Sequence, residues 1–145
     1  NGDMARANIK PRIRMMTLYS LAQSRNYLVA GTGNASEAYV GYFTKWGDGA
    51  HDFNPIADLT VEEVIELGRE LGVPEECITR VPSAGLWAGQ TDEGELGLKY
   101  SDIGKVIKLG IDALDNGVSK EDFDKIEAMH FRAQHKLNPI PTFKE

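Results

Sequence analysis

Thr32 and Glu37 share the segment AGTGNASE, residues 30 to 37, directly behind the apolar run of NYLVAGTG. A β-prone run that ends on glycines and turns into a helix presents backbone N–H groups at the carboxyl end of a strand. Open α/β sheets hold ligands there, and the Thr32 hydroxyl would join those groups. Glu37 falls one or two turns into the helix, where a carboxylate could hold Mg2+ against a phosphate. The same residues also describe an ordinary turn followed by an acidic residue that complements a helix dipole. A single Gly-x-Gly does not separate the two.

Lys45, Asp48 and Asp52 crowd the next loop, KWGDGAHD. A cation there could meet a phosphate or carbonyl, and the carboxylates could meet sugar hydroxyls or an amine. Asp and Gly also favour solvated turns for backbone reasons alone. Arg12 and Arg14 stand two apart on an opening helix, so at most one faces any given site. His130 and His135 are five apart rather than i, i+4, which is not the spacing that brings two imidazoles to one metal ion. His130 is expected in partly buried packing, and His135 lies beside Lys136 near the tail. Trp46 and Trp87 each sit in a Gly-rich loop, where an aromatic can stack on a base or simply pin the loop.

The bulk numbers limit what these residues could serve. The chain has 145 residues, 41% hydrophobic and 26% charged, enough for one domain with one core. Its net charge of −6 argues against a general nucleic-acid or membrane-surface binder, which needs a basic footprint. One cysteine, Cys77, excludes an intrachain disulfide and fits a reducing cytoplasm. No apolar run approaches the roughly 20 residues of a membrane span. The opening NGDMARANIKPRIRMM lacks the apolar core of a secretory signal. It reads as a tag remnant, a cleavage product or a start inside a longer protein.

The elements that must position these residues are mostly helical. Residues 8 to 23 place Ile9, Ile13, Met16 and Leu21 at helical spacing, with Pro11 tolerable in a first turn. NYLVAGTG reads as a strand, and residues 35 to 44 as a helix. Thr60 and Glu63 form a capping box ahead of TVEEVIELGRELG, which ends at Gly72. Residues 80 to 97 have no periodicity and four glycines, the signature of a functional or mobile segment. Ser101 and Ser119 read as caps of closing helices over 101–114 and 119–135, and NPIPTFKE as an extended tail. One strand cannot satisfy its own edges. The reading is therefore an α/β fold whose other strands lie outside this sequence.

Taken together, NIKPRIRM, GTGNASEAYVGYFTKWGDGAHDFNPIADL, ELGVPEECITRVPSAGLWAGQTDEGELGLKY and QHKLNPIPTF resemble the ammonia-dependent NAD synthetases, in the family's order and spacing. The resemblance runs from about Asn8 to Phe143. It implies a Rossmann-like three-layer α/β/α fold of the ATP-pyrophosphatase superfamily. Residues 1–145 would be an incomplete, helix-rich C-terminal part of a single synthetase domain. It implies a cytoplasmic homodimer that amidates deamido-NAD+ with ammonia through an acyl-adenylate, using ATP and Mg2+ and releasing AMP and pyrophosphate. Carried over by motif, Thr32 and Ser83 would contact ATP and Glu37 would ligate Mg2+. Arg12, Lys45, Asp52, His135 and Lys136 would bind deamido-NAD+, and Asp48 and Glu95 would lie near the incoming ammonia.

Two departures stand out. Val61 occupies a position where many members carry an ATP-contacting Lys. The superfamily's SGGxDS pyrophosphate loop does not occur in the chain, so the chain alone is expected to be inactive. The synthetase domain of a glutamine-dependent enzyme and a non-catalytic nucleotide-binding module remain alternatives.

Overall fold

The computed structural model describes residues 2–143. Their regular structure is helical: α1 (Gly2–Ala7), α2 (Ile9–Arg25), α3 (Ala35–Val40), α4 (Val61–Glu70), α5 (Glu75–Ile78), α6 (Asp92–Leu96), α7 (Tyr100–Leu109) and α8 (Lys120–Leu137), with a 3-10 turn at Gly110–Ala113. Among the described residues no helix is long and apolar enough to cross a membrane.

The core gathers around α7, which packs against α3, α4 and α8. Ile103 and Val106 of α7 meet Ile126 of α8 and Val40 of α3, with Leu96, Leu98 and Tyr100 leading into the cluster. Ile103 and Ile126 are fully buried, and burial of that size supplies roughly 1.5–3 kcal/mol per side chain. The α3–α8 approach is close enough to need a glycine. Gly41 ends α3 at φ +69°, and a Cβ there would fall 2.6 Å from that of Ala133. A second latch joins the same helices, with the Tyr39 and His130 rings stacked 3.9 Å apart and the Tyr39 hydroxyl donating to Glu127.

Helix starts were legible. Thr60 caps α4 in a full capping box with Glu63, and Ser119 accepts from Asp122 N at the start of α8. Three expectations change. The helix expected over 35–44 stops at Val40, because Gly41 takes the left-handed conformation. The helix expected over 101–114 begins at Tyr100 behind Lys99, not at a Ser101 cap, and ends at Gly110. The segment over 80–97 contains a short helix, α6, capped by Thr91. The apolar stripe of α2 does not enter this core: Ile9, Ile13, Met16 and Leu21 are each more than half exposed.

The expected strand is reduced to its essentials. Over residues 27–33 Ala30 alone pairs, forming one parallel bridge with Phe53, with Gly31 N donating to Phe53 O and Asp52 N to Val29 O. Leu28 and Tyr27, at the start of this segment, are largely exposed. The Ala30–Phe53 pairing is a single parallel bridge, and the Gly31–Gly33 turn leads from it into α3.

Candidate active site

The turn after Ala30, the 42–50 loop and the 82–95 segment surround a cleft of about 540 Å3, closed on a further side by α2. Thr32, Glu37, Asp48, Ser83, Glu95 and Lys136 all line it. These six come from four separate stretches of sequence, and the core packing of α3 against α7 and α8 brings them together. Arg12, Lys45, Asp52 and His135 lie outside this lining. The residues assigned from sequence to ATP, metal and ammonia thus share one cavity, whereas most of the set assigned to the dinucleotide stands beside it.

Glu37 is the third residue of α3 and closes a capping box: its Oε2 accepts from Asn34 N at 2.9 Å while Glu37 N donates to Asn34 Oδ1. Burial pushes its carboxyl up from 4.5 to about 7, against the opposing Asn34 hydrogen bond, and the charges of Asp92 and Asp48 push the same way. A desolvated carboxylate among other carboxylates is one that a cation would relieve. Among the described residues no three His, Cys, Asp or Glu side chains converge as a metal cage. Glu37 by itself offers one carboxylate, the number that Mg2+ takes from a protein when substrate phosphates and water complete its shell.

Hydrogen bonding divides the acidic residues into two groups. In Glu37, Asp48 and Glu95 one carboxylate oxygen is tied internally: Glu37 Oε2 to Asn34 N, Asp48 Oδ1 to Thr44 N at 3.1 Å, and Glu95 Oε2 to Tyr42 and Gln90. The second oxygen of each has no partner among the described residues. Asp92 and Asp52 have both oxygens engaged. Asp92 accepts from Ala84 N and from the Tyr100 hydroxyl at 3.1 and 3.0 Å, and Asp52 accepts from Val29 N and more distantly from Tyr19. The first group has capacity for a ligand, and the second holds backbone in place.

Beside the cleft a chain of contacts links three of the remaining residues. Arg12 donates to Lys45 O at 3.3 Å, and Lys45 Nζ donates to His135 O while lying 5.4 Å from the Trp46 ring centroid. Trp46 is exposed and holds φ +62°, a strained value for a residue with a side chain. Neither Trp46 nor Trp87 lines the cleft. Lys136 donates to Gly41 O and Phe43 O at 2.6 and 2.7 Å, which fastens the end of α3 to α8. Its burial lowers the ammonium pKa, partly offset by Asp48. Arg14, not Arg12, lines the cleft from α2, in keeping with the rule that only one of the pair can do so. Val61 N donates to Ser36 Oγ, so this position serves the α3–α4 junction, and Arg14 and Lys136 are the basic residues in the lining.

Sequence reasoning missed Tyr42, Gln90, Asp92 and Tyr100. Gln90 and Asp92 are buried polar residues inside GQTDEGELG. The available signal was their place between glycines and beside a Thr cap, where a polar side chain can turn back onto its own loop.

The family model for NAD synthase matches residues 1–140. The chain belongs to the NAD synthase family. Among curated NAD synthases, it is 55% identical over 133 residues to the NH3-dependent NAD+ synthetase of Carboxydothermus hydrogenoformans, covering 92% of this chain and 52% of that one. It is 50% identical to the enzyme of the same name from Archaeoglobus fulgidus, covering 96% and 56%. The chain spans about half the length of these relatives. Among solved structures, NMN synthetase from Francisella tularensis superimposes with a TM-score of 0.87 at 43% identity, over 99% of this chain and 58% of that one. The NH3-dependent NAD synthetase of Campylobacter jejuni, in complex with nitrate, gives 0.72 at 28% identity, over 95% and 54%. The α/β nucleotide-binding fold of the NAD synthase neighbours agrees with the parallel pairing at Ala30.

Proposed function

We propose that this chain contributes the cleft wall of an ammonia-dependent NAD synthetase, a ligase that converts deamido-NAD+, ATP and ammonia to NAD+, AMP and pyrophosphate. The observation that carries this reading is the gathering of Glu37, Asp48 and Glu95, each with one oxygen unengaged among the described residues, around one cleft with the Thr32 and Ser83 hydroxyls. A carboxylate does not accept ammonia until its oxygen becomes a leaving group. Attack of the nicotinate oxygen on the α-phosphorus of ATP expels pyrophosphate and leaves a mixed anhydride. Ammonia then displaces AMP.

Each residue has a part suited to its surroundings. Thr32 and Ser83 hydroxyls hydrogen-bond ATP. Glu37 would hold Mg2+, which when bound neutralises phosphate charge during adenylation. Asp48 and Glu95 make the far wall of the cleft acidic, which favours capture of ammonium and orients the nitrogen once a proton leaves. Arg12, Lys45 and His135, linked through the Lys45 contacts, form a basic edge for the dinucleotide, with Lys136 holding the loop between that edge and the cleft. Asp52 acts on the dinucleotide from the bridge it pins.

The rest of the enzyme follows the same reading. On this reading the segment is the C-terminal part of the domain, and the SGGxDS loop and the remaining strands would be supplied by the other part. The exposed side of Tyr27 and Leu28 is where those strands would pair. The bare stripe of α2 suits a covering surface in a cytoplasmic homodimer.

A second reading has a specific basis: the structural relative with the TM-score of 0.87 is an NMN synthetase. The same chemistry would then act on nicotinate mononucleotide. To test both, the full-length synthetase carrying this segment is supplied with ATP, ammonium and either deamido-NAD+ or nicotinate mononucleotide. NAD+, AMP and pyrophosphate in equal amounts are expected from deamido-NAD+, and residues 1–145 alone should give none. Faster turnover of the mononucleotide would establish the second reading. ADP and phosphate as products, or no turnover of either substrate, would overturn both.

A further inference from the structure

Gln90 is buried and makes three contacts with its one amide group. Its Oε1 accepts from Leu86 N at 2.8 Å, which pins the loop that carries Ser83. Its Nε2 donates to Glu95 Oε2 at 2.7 Å and, at 3.4 Å, faces the Tyr42 hydroxyl. Tyr42 donates its own hydroxyl to that same Oε2 at 2.8 Å. Two donors from two different loops therefore converge on one oxygen of Glu95, and its Oε1 has no partner among the described residues.

Such an arrangement removes rotational freedom from an otherwise exposed carboxylate. Glu95 lies on α6, a helix of five residues, and its side chain would sample several rotamers without outside support. Hydrogen bonds to a charged group are among the stronger ones in proteins, and two converging on one oxygen select one rotamer. We propose that Tyr42 and Gln90 are positioning residues that fix Glu95 with Oε1 presented to the nitrogen substrate. Through Leu86, Gln90 also ties this orientation to the loop of Ser83. The proposal rests on the function given above, and specifically on Glu95 serving the ammonia site.

The test measures steady-state kinetics of the full-length enzyme with ammonium varied at saturating ATP and deamido-NAD+, and then with ATP varied. Tyr42→Phe removes one donor and keeps the ring. Gln90→Met removes the amide at nearly the same length. Each should raise the KM for ammonium about tenfold, the consequence of losing one hydrogen bond to a charged group. Tyr42→Phe should leave the KM for ATP within about twofold, whereas Gln90→Met should raise it as well, because the Leu86 tie is lost. In a Glu95→Ala background Tyr42→Phe should have no further effect, since it acts through Glu95.

The proposal is overturned if Tyr42→Phe leaves the ammonium KM unchanged, if it raises both KM values equally, or if its effect persists without Glu95. If Gln90→Met fails to fold, Tyr42→Phe and the Glu95→Ala background still decide the matter. Absence of amidation by the unmodified enzyme would instead remove the function on which the proposal rests. An active enzyme with a silent Tyr42→Phe removes the positioning role alone.

Discussion

Glu37→Gln in the full-length enzyme is expected to lower kcat/KM by about 100- to 1,000-fold, the size of effect seen when one preorganised electrostatic contact to a phosphoryl or acyl transition state is lost. In the metal-free protein the same substitution is expected to stabilise the fold. Burial raises the Glu37 carboxyl from 4.5 to about 7, so the folded chain prefers the uncharged form. For an acid shifted upward, that contribution to stability is complete below pH 4.5 and is lost as pH rises through 7. At pH 8 the charged form costs about 3 kcal/mol, from about 1.36 kcal/mol per unit. A glutamine side chain carries no charge, and its carbonyl oxygen still accepts from Asn34 N, so the capping box survives. Without metal, the Glu37→Gln variant should exceed the wild type in urea unfolding at about pH 8 by up to that amount and match it near pH 4.5. Added Mg2+ with ATP should raise the stability of the wild type alone. A substitution that lowers stability at about pH 8 would contradict the strained state of this carboxylate.

Asp92→Ala is expected to cost about 3 kcal/mol of stability, although Asp92 and Asp48 look alike as sequence. Asp92 is 3% exposed and satisfies both Ala84 N and the Tyr100 hydroxyl. Burial, and then the charge of Asp92, raise the Tyr100 phenol far above its ordinary value, so that hydroxyl stays protonated and keeps needing an acceptor. Each donor left without one costs about 1–3 kcal/mol. Asp92→Asn should cost less than Asp92→Ala, since its amide oxygen still accepts from Ala84 N and only the Tyr100 hydroxyl is left without an acceptor. Asp48→Asn should shift stability by less than about 1 kcal/mol, because the side chain is exposed and ties only Thr44 N. Urea midpoints of the three variants check the order. Equal destabilisation by Asp48→Asn and Asp92→Ala would refute the division between ligand-facing and structural carboxylates.

Local signals in the sequence carried furthest. Thr60 with Glu63 and Ser119 with Asp122 satisfy helix N-termini from within a few residues, so no tertiary context was needed to read them. Thr32 and Glu37 were likewise placed by a local strand-turn-helix pattern, and they do line the cleft. What depended on other segments was less legible. The α2 stripe has the spacing of a core face, yet periodicity cannot say which surface covers it, and Ile13 and Met16 are exposed here. NYLVAGTG has strand character but only Phe53 to pair with among the described residues, so one bridge forms. The Tyr42–Gln90–Glu95 cluster joins residues up to 53 positions apart, and nothing in the local sequence of any one of them announces the other two. Asp52 shares its Gly-rich loop with Asp48, and nothing local announces that its carboxylate also fastens Val29, 23 positions away.

The central claim is that this cleft activates a carboxylate by adenylation for attack by ammonia. It is tested most directly by supplying the full-length enzyme with deamido-NAD+ labelled with 18O in the nicotinate carboxylate, together with ATP and ammonium. An acyl-adenylate requires one carboxylate oxygen to leave with the α-phosphorus, so mass spectrometry should find one 18O in each AMP and none in pyrophosphate. Unlabelled AMP, or label appearing in inorganic phosphate alongside ADP, would contradict the account.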